Sequence, residues 1–289
     1  MKLRTLLFCP ADAERKITRA LSSSADVVIL DLEDSVSVRA KEAARSIAAE
    51  VLAGRSGPSD VVVRINPQDT PWYFDDLSTV VPQSPAAILL PKCSCPEDLR
   101  RLDHHLEALE HANGLPLGKI GILPLVTESA SALPSMRYDG VTPRLRALLF
   151  GAEDLAVDFG IAPRAADGTL AAPLAAARAM LLVAAAQAQV PAIDTPWPNP
   201  HPSPAFDAEI AAAARDGFAG KLCIHPNQLE AVATAFTPSP ERIRWAQSVY
   251  KLFMDNPGSG VMVLDGVMID RPHMRLAERI LDAAADASP

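Results

Sequence analysis

Hydrophobic residues along this chain gather into short runs, each closed by polar residues and most followed by a stretch of helical periodicity. Eight runs read as strands: 4–10, 26–32, 60–67, 86–92, 119–126, 146–150, 190–194 and 220–225. Helical patterns follow at 14–22, 41–52, 96–112, 174–189 and 205–216, and Pro96 sits where a helix tolerates proline, near its start. Strands that alternate with helices in this way predict a parallel sheet. Eight of them close most simply into a (β/α)8 TIM barrel, an α/β fold. An open doubly wound sheet is the alternative. No G-x-G-x-x-G follows any of the strands, which weakens a dinucleotide reading.

After His225 the pattern changes. Residues 241–254 read as an amphipathic helix, 256–260 as a turn, and 261–270 as a hairpin bent at Asp265-Gly266. A last helix is expected over 272–285. The chain thus divides into a catalytic barrel over 1–235 and a C-terminal hairpin-helix extension over 236–289. A hairpin alone is only marginally stable, so the extension must pack on something.

Polar residues fall at one end of the predicted strands. Glu33 and Asp34, Arg64 and Asn66, Lys92, Glu128, Glu153 and Asp154, Asp194 and His225 all stand at or just past a strand's C-terminal end. A lone acid there is usually a helix cap or a surface residue. A whole set at the same end marks the face where barrel enzymes keep their active sites. Two neighbouring strands deliver the carboxylates of Glu128 and Asp154, and an acid pair is costly to bury without a cation opposite. Mg²⁺, or Mn²⁺ in its place, suits that pair, because it takes one or two carboxylates and leaves its other positions to water and substrate.

Composition narrows the partners. The chain has 289 residues, 49% of them hydrophobic, which is enough for one large core with an appendage. Its net charge is −8 and it has no long basic run, so nucleic acid is not expected as a partner. No apolar run would span a bilayer, and the short Leu6-Leu7-Phe8 stretch is not a signal peptide, which makes the cytoplasm the expected location. Cys9, Cys93, Cys95 and Cys223 lack the spacing of a zinc site and are read as reduced.

Several stretches, taken together, resemble the citrate lyase β-subunit-like family of CoA-ester lyases within the HpcH/HpaI aldolase superfamily. They are Arg4-Thr5-Leu6-Leu7-Phe8 followed by Pro10, Leu30-Asp31-Leu32-Glu33-Asp34-Ser35-Val36, and the stretch 41–45. Val63-Arg64-Ile65-Asn66, Leu90-Pro91-Lys92, Thr127-Glu128 and Phe150-Gly151-Ala152-Glu153-Asp154-Leu155 follow. Gly220-Lys221, Ile224-His225-Pro226-Asn227-Gln228, Phe236 with Pro238-Ser239, and the stretch 266–270 complete the set. Two departures stand out: Ala11 where the family has glycine, and Arg19 where it often has lysine. The resemblance implies a TIM barrel that needs Mg²⁺ and cleaves or forms the C–C bond of a short β-hydroxyacyl-CoA such as malyl-, citramalyl- or citryl-CoA.

Residue by residue, the resemblance makes Glu128 and Asp154 the metal ligands and Arg64 the grip on the oxo-acid. Glu33 and Asp34 would stand behind Arg64. Asp270 matches an acid/base supplied from a neighbouring subunit of a homotrimer or homohexamer, and Arg4 and Arg19 would face the CoA phosphates. Lys92, Asp194 and His225 are expected along the substrate, His225 as a structural or CoA-side residue, since nothing in the sequence orients it as a base. The proline-rich stretch 195–204 is a candidate rim. Small-molecule acyl-CoA and oxo-acid are the expected partners. The competing readings are an aldolase of free oxo-acids that does not use CoA, and a catalytically silent binding subunit.

Overall fold

The computed structural model describes residues 1–54 and 57–287; residues 288 and 289, the end of the expected extension, lie outside the described residues. The chain forms two compact units, the first ending at Ala233 and the second beginning at Thr234.

The first unit is a barrel. Its strands are β1 (Thr5–Pro10), β2 (Val27–Asp31), β3 (Asp60–Arg64), β4 (Ala87–Leu90), β5 (Gly121–Pro124), β6 (Leu148–Leu149), β7 (Ala192–Asp194) and β8 (Gly220–Cys223). They pair in parallel in the order β5-β4-β3-β2-β1-β8-β7-β6. Parallel bridges Ile122↔Leu145 and Leu125↔Leu149 join the two ends and close the sheet. Every strand can be buried on both sides because side chains alternate between the barrel interior and the helical layer. Leu6, Ile29, Val62, Leu89, Leu149 and Leu222 belong to the interior set and are almost wholly shielded from solvent. Gly220 is needed where β8 meets β1: a Cβ there would lie 1.8 Å from the carbonyl oxygen of Leu3.

The surrounding helices are α1 (Glu14–Leu21), α2 (Lys41–Ala53), α3 (Tyr73–Val80), α4 (Pro96–Ala112), α5 (Ala152–Asp158), α6 (Ala172–Ala188), α7 (Pro204–Asp216) and α8 (Leu229–Ala235). Local chemistry fixes several of their ends. Ser203 caps α7 by accepting from the Phe206 N–H, and Gly217 ends it at a φ of 108°. α6 is rich in alanine and leucine, strong helix formers, and has proline in its first turn. The periodicity does not reveal α3 or α5. Both are short, and each starts close to the end of a strand, where acids and aromatics dilute the apolar pattern.

The second unit holds α9 (Pro240–Asp255), the hairpin strands β9 (Val261–Leu264) and β10 (Val267–Asp270), and α10 (Arg271–Ala287). The hairpin turns at Asp265 and Gly266, both with positive φ (49° and 79°), as a tight two-residue turn requires. Its own small core joins Ala246, Val249, Ile269, Ala277 and Ile280. All four cysteines are free thiols, three of them buried, and burial holds those three thiols above the ordinary range.

Candidate active site

A cavity of about 650 Å³ opens over the C-terminal ends of the barrel strands. On its acidic side, Val27, Ile29 and Asp31 of β2 share the inward parity, so the last residue of the strand brings a carboxylate into the barrel. Register places Asp31 beside Arg64, the last residue of β3. The two form a bidentate pair: Arg64 Nε and Nη2 each donate to Asp31 at 2.7 Å. Arg64 Nη1 lies 2.9 Å from Glu33 Oε2, and the guanidinium sits 4.8 Å from the Phe8 ring centre. Burial works against both charges of the pair, but each partner outweighs it. Asp31 is held below the ordinary carboxylate range, and Arg64 is raised further above its own.

Lys41 holds the turn that carries Glu33. Its Nζ donates at 2.7 Å to the Leu32 and Glu33 carbonyls and to Asn66 Oδ1. Asn66 is tied in turn to the buried Asp76 at 2.6 Å. Burial lowers the Lys41 pKa, because surrounding acids only partly offset the loss of water.

The next wall comes from β4, β5 and β6. Lys92 has a left-handed backbone (φ 51°). That conformation turns its N–H toward Glu128 Oε2, which accepts a short hydrogen bond. The Lys92 ammonium donates to Glu33 Oε1 at 2.8 Å, and Glu33 outweighs burial to raise its pKa. Thr127 Oγ1 accepts from the Gly151 N–H at 2.9 Å and so joins the ends of β5 and β6. Gly151 also gives Glu128 its room: a Cβ there would lie 2.8 Å from Glu128 Cγ.

Glu128 is 7% exposed, and its pKa is pushed up to about 8, first by burial, then by the charge of Glu33, with Asp154 adding to both. Asp154, in the first turn of α5, lines the same cavity. Glu128 and Asp154 therefore lack enough positive charge opposite them. A hard divalent cation would supply it through two carboxylates, with its other positions left to water and substrate. Among the described residues no group of three or more His, Cys, Asp or Glu side chains is placed to hold a metal ion.

Basic and proline residues line the same cavity: Lys16 and Arg19 of α1, with His225 and Pro226 after β8 and Pro196 after β7. His225 Nδ1 accepts from the Asn227 N–H at 3.2 Å. Burial, then the charges of Arg19 and His201, lower the His225 pKa and favour the neutral ring.

The sequence profile of the HpcH/HpaI aldolase/citrate lyase family matches residues 4–226, more than half the chain. The chain belongs to that family. It is 31% identical over 284 residues to the citrate lyase subunit beta of Leuconostoc mesenteroides subsp. cremoris, covering 97% of this chain and 93% of that one. It is 28% identical to the human mitochondrial citramalyl-CoA lyase, over 97% of this chain and 85% of that protein. Its fold matches the crystal structure of CitE from Mycobacterium tuberculosis in complex with magnesium, acetoacetate and coenzyme A, with a TM-score of 0.78, 29% identity and 98% of each chain covered. As a member of the family it is a lyase.

Within this family member the expected residues separate into three groups. Arg64, Glu128, Asp154, Asp34, Arg19 and His225 line the cavity, and Glu33 stands behind Arg64. Two expectations, for Arg4 and Asp194, need correction. Arg4 precedes β1, at the opposite end of the strand from the cavity, where its Nη2 pairs with Asp26 at 3.0 Å. Asp194 follows the inward Ile193 and so points outward, where it pairs with Arg178 at 2.8 Å and Lys221 at 2.9 Å in full burial. Lys92 is turned to Glu33, with its ammonium 3.9 Å from the lining Asp34. Asp270 lies in the second unit, where its Oδ1 is 2.6 Å from His273 Nδ1. Asp31 and Lys41 carry much of the site's geometry. Strand parity exposes the first in the sequence, whereas nothing local exposes the second.

Proposed function

We propose that this protein is a Mg²⁺-dependent lyase that cleaves, or forms, the C–C bond of a short β-hydroxyacyl-CoA such as malyl-, citramalyl- or citryl-CoA, giving an oxo-acid and an acyl-CoA. The observation that carries this reading is the mixed lining of one cavity: the carboxylates of Glu128 and Asp154 together with Lys16, Arg19 and His225. An acid pair short of positive charge fits a hard cation. The basic residues fit phosphates, which a free oxo-acid would not need. Similarity to a citramalyl-CoA lyase, and to a structure that holds magnesium and coenzyme A, supports the same assignment.

Glu128 and Asp154 would hold the metal, which when bound polarises the substrate's hydroxy-acid oxygens and lowers the hydroxyl pKa. Arg64, aimed by Asp31 and lying beside Glu33, offers its remaining N–H groups to the carboxylate of the departing oxo-acid. In cleavage a base takes the proton of the β-hydroxyl, the C–C bond breaks, and its electron pair passes to the thioester as an enolate. A proton delivered to that carbon completes the acyl-CoA. We assign this proton traffic to Asp270, supplied by a neighbouring copy in a homotrimer or homohexamer, with the C-terminal extension packed on that copy. Val261, Val263 and Met268 share one exposed hairpin face with Asp270, which is apolar enough for such packing. Among the described residues no helix is long and apolar enough to cross a membrane.

The test is cleavage of malyl-CoA, citramalyl-CoA and citryl-CoA, each with Mg²⁺ and with EDTA. We expect metal-dependent release of an oxo-acid from one of them. Turnover of the free hydroxy-acids alone would move the assignment to an aldolase of oxo-acids. Mg²⁺ binding without turnover of any would support a silent binding subunit.

A further inference from the structure

Gln228, the last residue of the Ile224-His225-Pro226-Asn227-Gln228 stretch, takes no part in the chemistry above, yet it is buried to 1% exposure and every hydrogen-bonding capacity of its amide is used. Oε1 accepts from the backbone N–H of Ile224 at 2.9 Å and of His225 at 3.3 Å. Nε2 donates to the carbonyls of Trp197 at 3.0 Å and Asn199 at 2.9 Å. The first pair belongs to the segment that puts Ile224, His225 and Pro226 into the cavity wall, and the second to the proline-rich loop that puts Pro196 there. One side chain therefore spans the two segments that border the basic end of the cavity.

The loop has a second anchor. Arg164 lies 4.7 Å from the Trp197 ring centre and donates to the Pro196 carbonyl at 3.3 Å, and it is itself paired with Glu209. Arg164 holds the loop to the helical layer, but only Gln228 among these contacts joins it to the His225 segment. The prolines stiffen the loop internally and leave its position to such ties.

We infer that Gln228 is a positioning residue for the basic end of the cavity. Its amide fixes the proline-rich loop against the His225 segment and so sets the seat for the nucleotide end of a CoA thioester. This rests on the CoA-ester reading above. The reacting centre is held by other residues, so loss of the tie should weaken thioester binding and leave the chemical step alone.

Gln228→Glu is the sharpest test, because the side chain keeps its shape and both acceptor bonds while an oxygen then faces two carbonyl oxygens. Its KM for the acyl-CoA should rise several-fold, up to about tenfold, with kcat within about twofold of wild type, since at least one of the two donor hydrogen bonds is lost even if the buried carboxyl is protonated. The matching acyl-pantetheine, which lacks the nucleotide, should show no KM change between the two proteins. A fall in kcat with unchanged KM, or an equal defect with both substrates, overturns the inference. Hydrogen exchange in Gln228→Met, which removes the acceptor as well as the donor, supplies the readout that does not need turnover: the amides of Thr195, Trp197 and Asn199 and of Ile224 and His225 should lose protection together. Protection unchanged, or lost on one side only, also overturns it. If wild type cleaves no CoA ester at all, the CoA reading has failed, while exchange still decides whether Gln228 ties the two segments. Should Gln228→Glu not fold, Gln228→Met, of similar length and without polar atoms, serves in both measurements.

Discussion

Asp31 closes a strand that is otherwise apolar, and its carboxylate aims Arg64. The residue is legible once strand parity is followed: Val27 and Ile29 pack inside the barrel, so Asp31 must too. What the sequence hides is the second tier of contacts. Lys41 is eight residues from Glu33 and 25 from Asn66, and only the fold brings its ammonium to both. Glu128 was legible as a carboxylate at a strand end, but its environment was not. With a pKa near 8 in the metal-free protein, Glu128 is raised above its ordinary value of 4.5. A raised carboxyl contributes stability that is fully present below the unfolded value and is lost as pH rises through the folded one. Metal binding needs the ionised form, so it must displace that proton at acid pH and need not at alkaline pH. We therefore expect the rise in Tm on adding Mg²⁺ to be larger at about pH 8.5 than at about pH 6, with Glu128→Gln removing the difference. Thermal melts at the two pH values settle it; an equal rise at both would count against Glu128 as a ligand.

Among the elements, β7 and β8 show how one position of parity changes a residue's meaning. Asp194 stands at a strand end like Glu128 and looks equally available from the sequence. Its outward direction joins it instead to Lys221 of β8, Arg178 of α6 and, through Lys221, Glu209 of α7. Arg164 and Asp216 extend the chain of alternating charges at its two ends. This network locks two helices to two strands. Burial alone would raise the Asp194 pKa, but Lys221 and Arg178 outweigh it and hold Asp194 below the ordinary range. Its contribution is therefore present above the unfolded carboxylate value and lost as acid protonates it. Whether such a network beats an apolar packing is a separate matter, but breaking it from one side is costly because charges are left buried. Lys221→Met should lower unfolding free energy by about 3–5 kcal/mol in denaturant titrations, with KM for the acyl-CoA unchanged. Asp194→Asn added to it should recover part of the loss. A shift in KM with stability intact would mean that Asp194 serves the substrate after all.

The whole molecule separates its tasks. The barrel unit holds the cavity, whereas the second unit carries Asp270, paired with His273, beside a hairpin with exposed valines. The eightfold rhythm of strands was legible because every run is apolar and short. What the exposed hairpin face meets was not, because a single chain does not record it. If each active site joins the Arg64 of one copy to the Asp270 of the next, two separately inactive variants must complement each other. Asp270→Asn keeps Arg64, and Arg64→Ala keeps Asp270. With random assembly from equal amounts, a site receives both intact residues in about one case in four, so activity should return to roughly a quarter of wild type. Unmixed samples of either variant set the baseline. The return should require subunit exchange, and so should follow unfolding and refolding together or co-expression, and not brief mixing of assembled proteins. Mixed oligomers that form yet stay at the baseline would place Asp270 in the site of its own chain, or outside the chemistry altogether. Isolating the mixed species through a tag on one variant distinguishes that result from a failure to exchange.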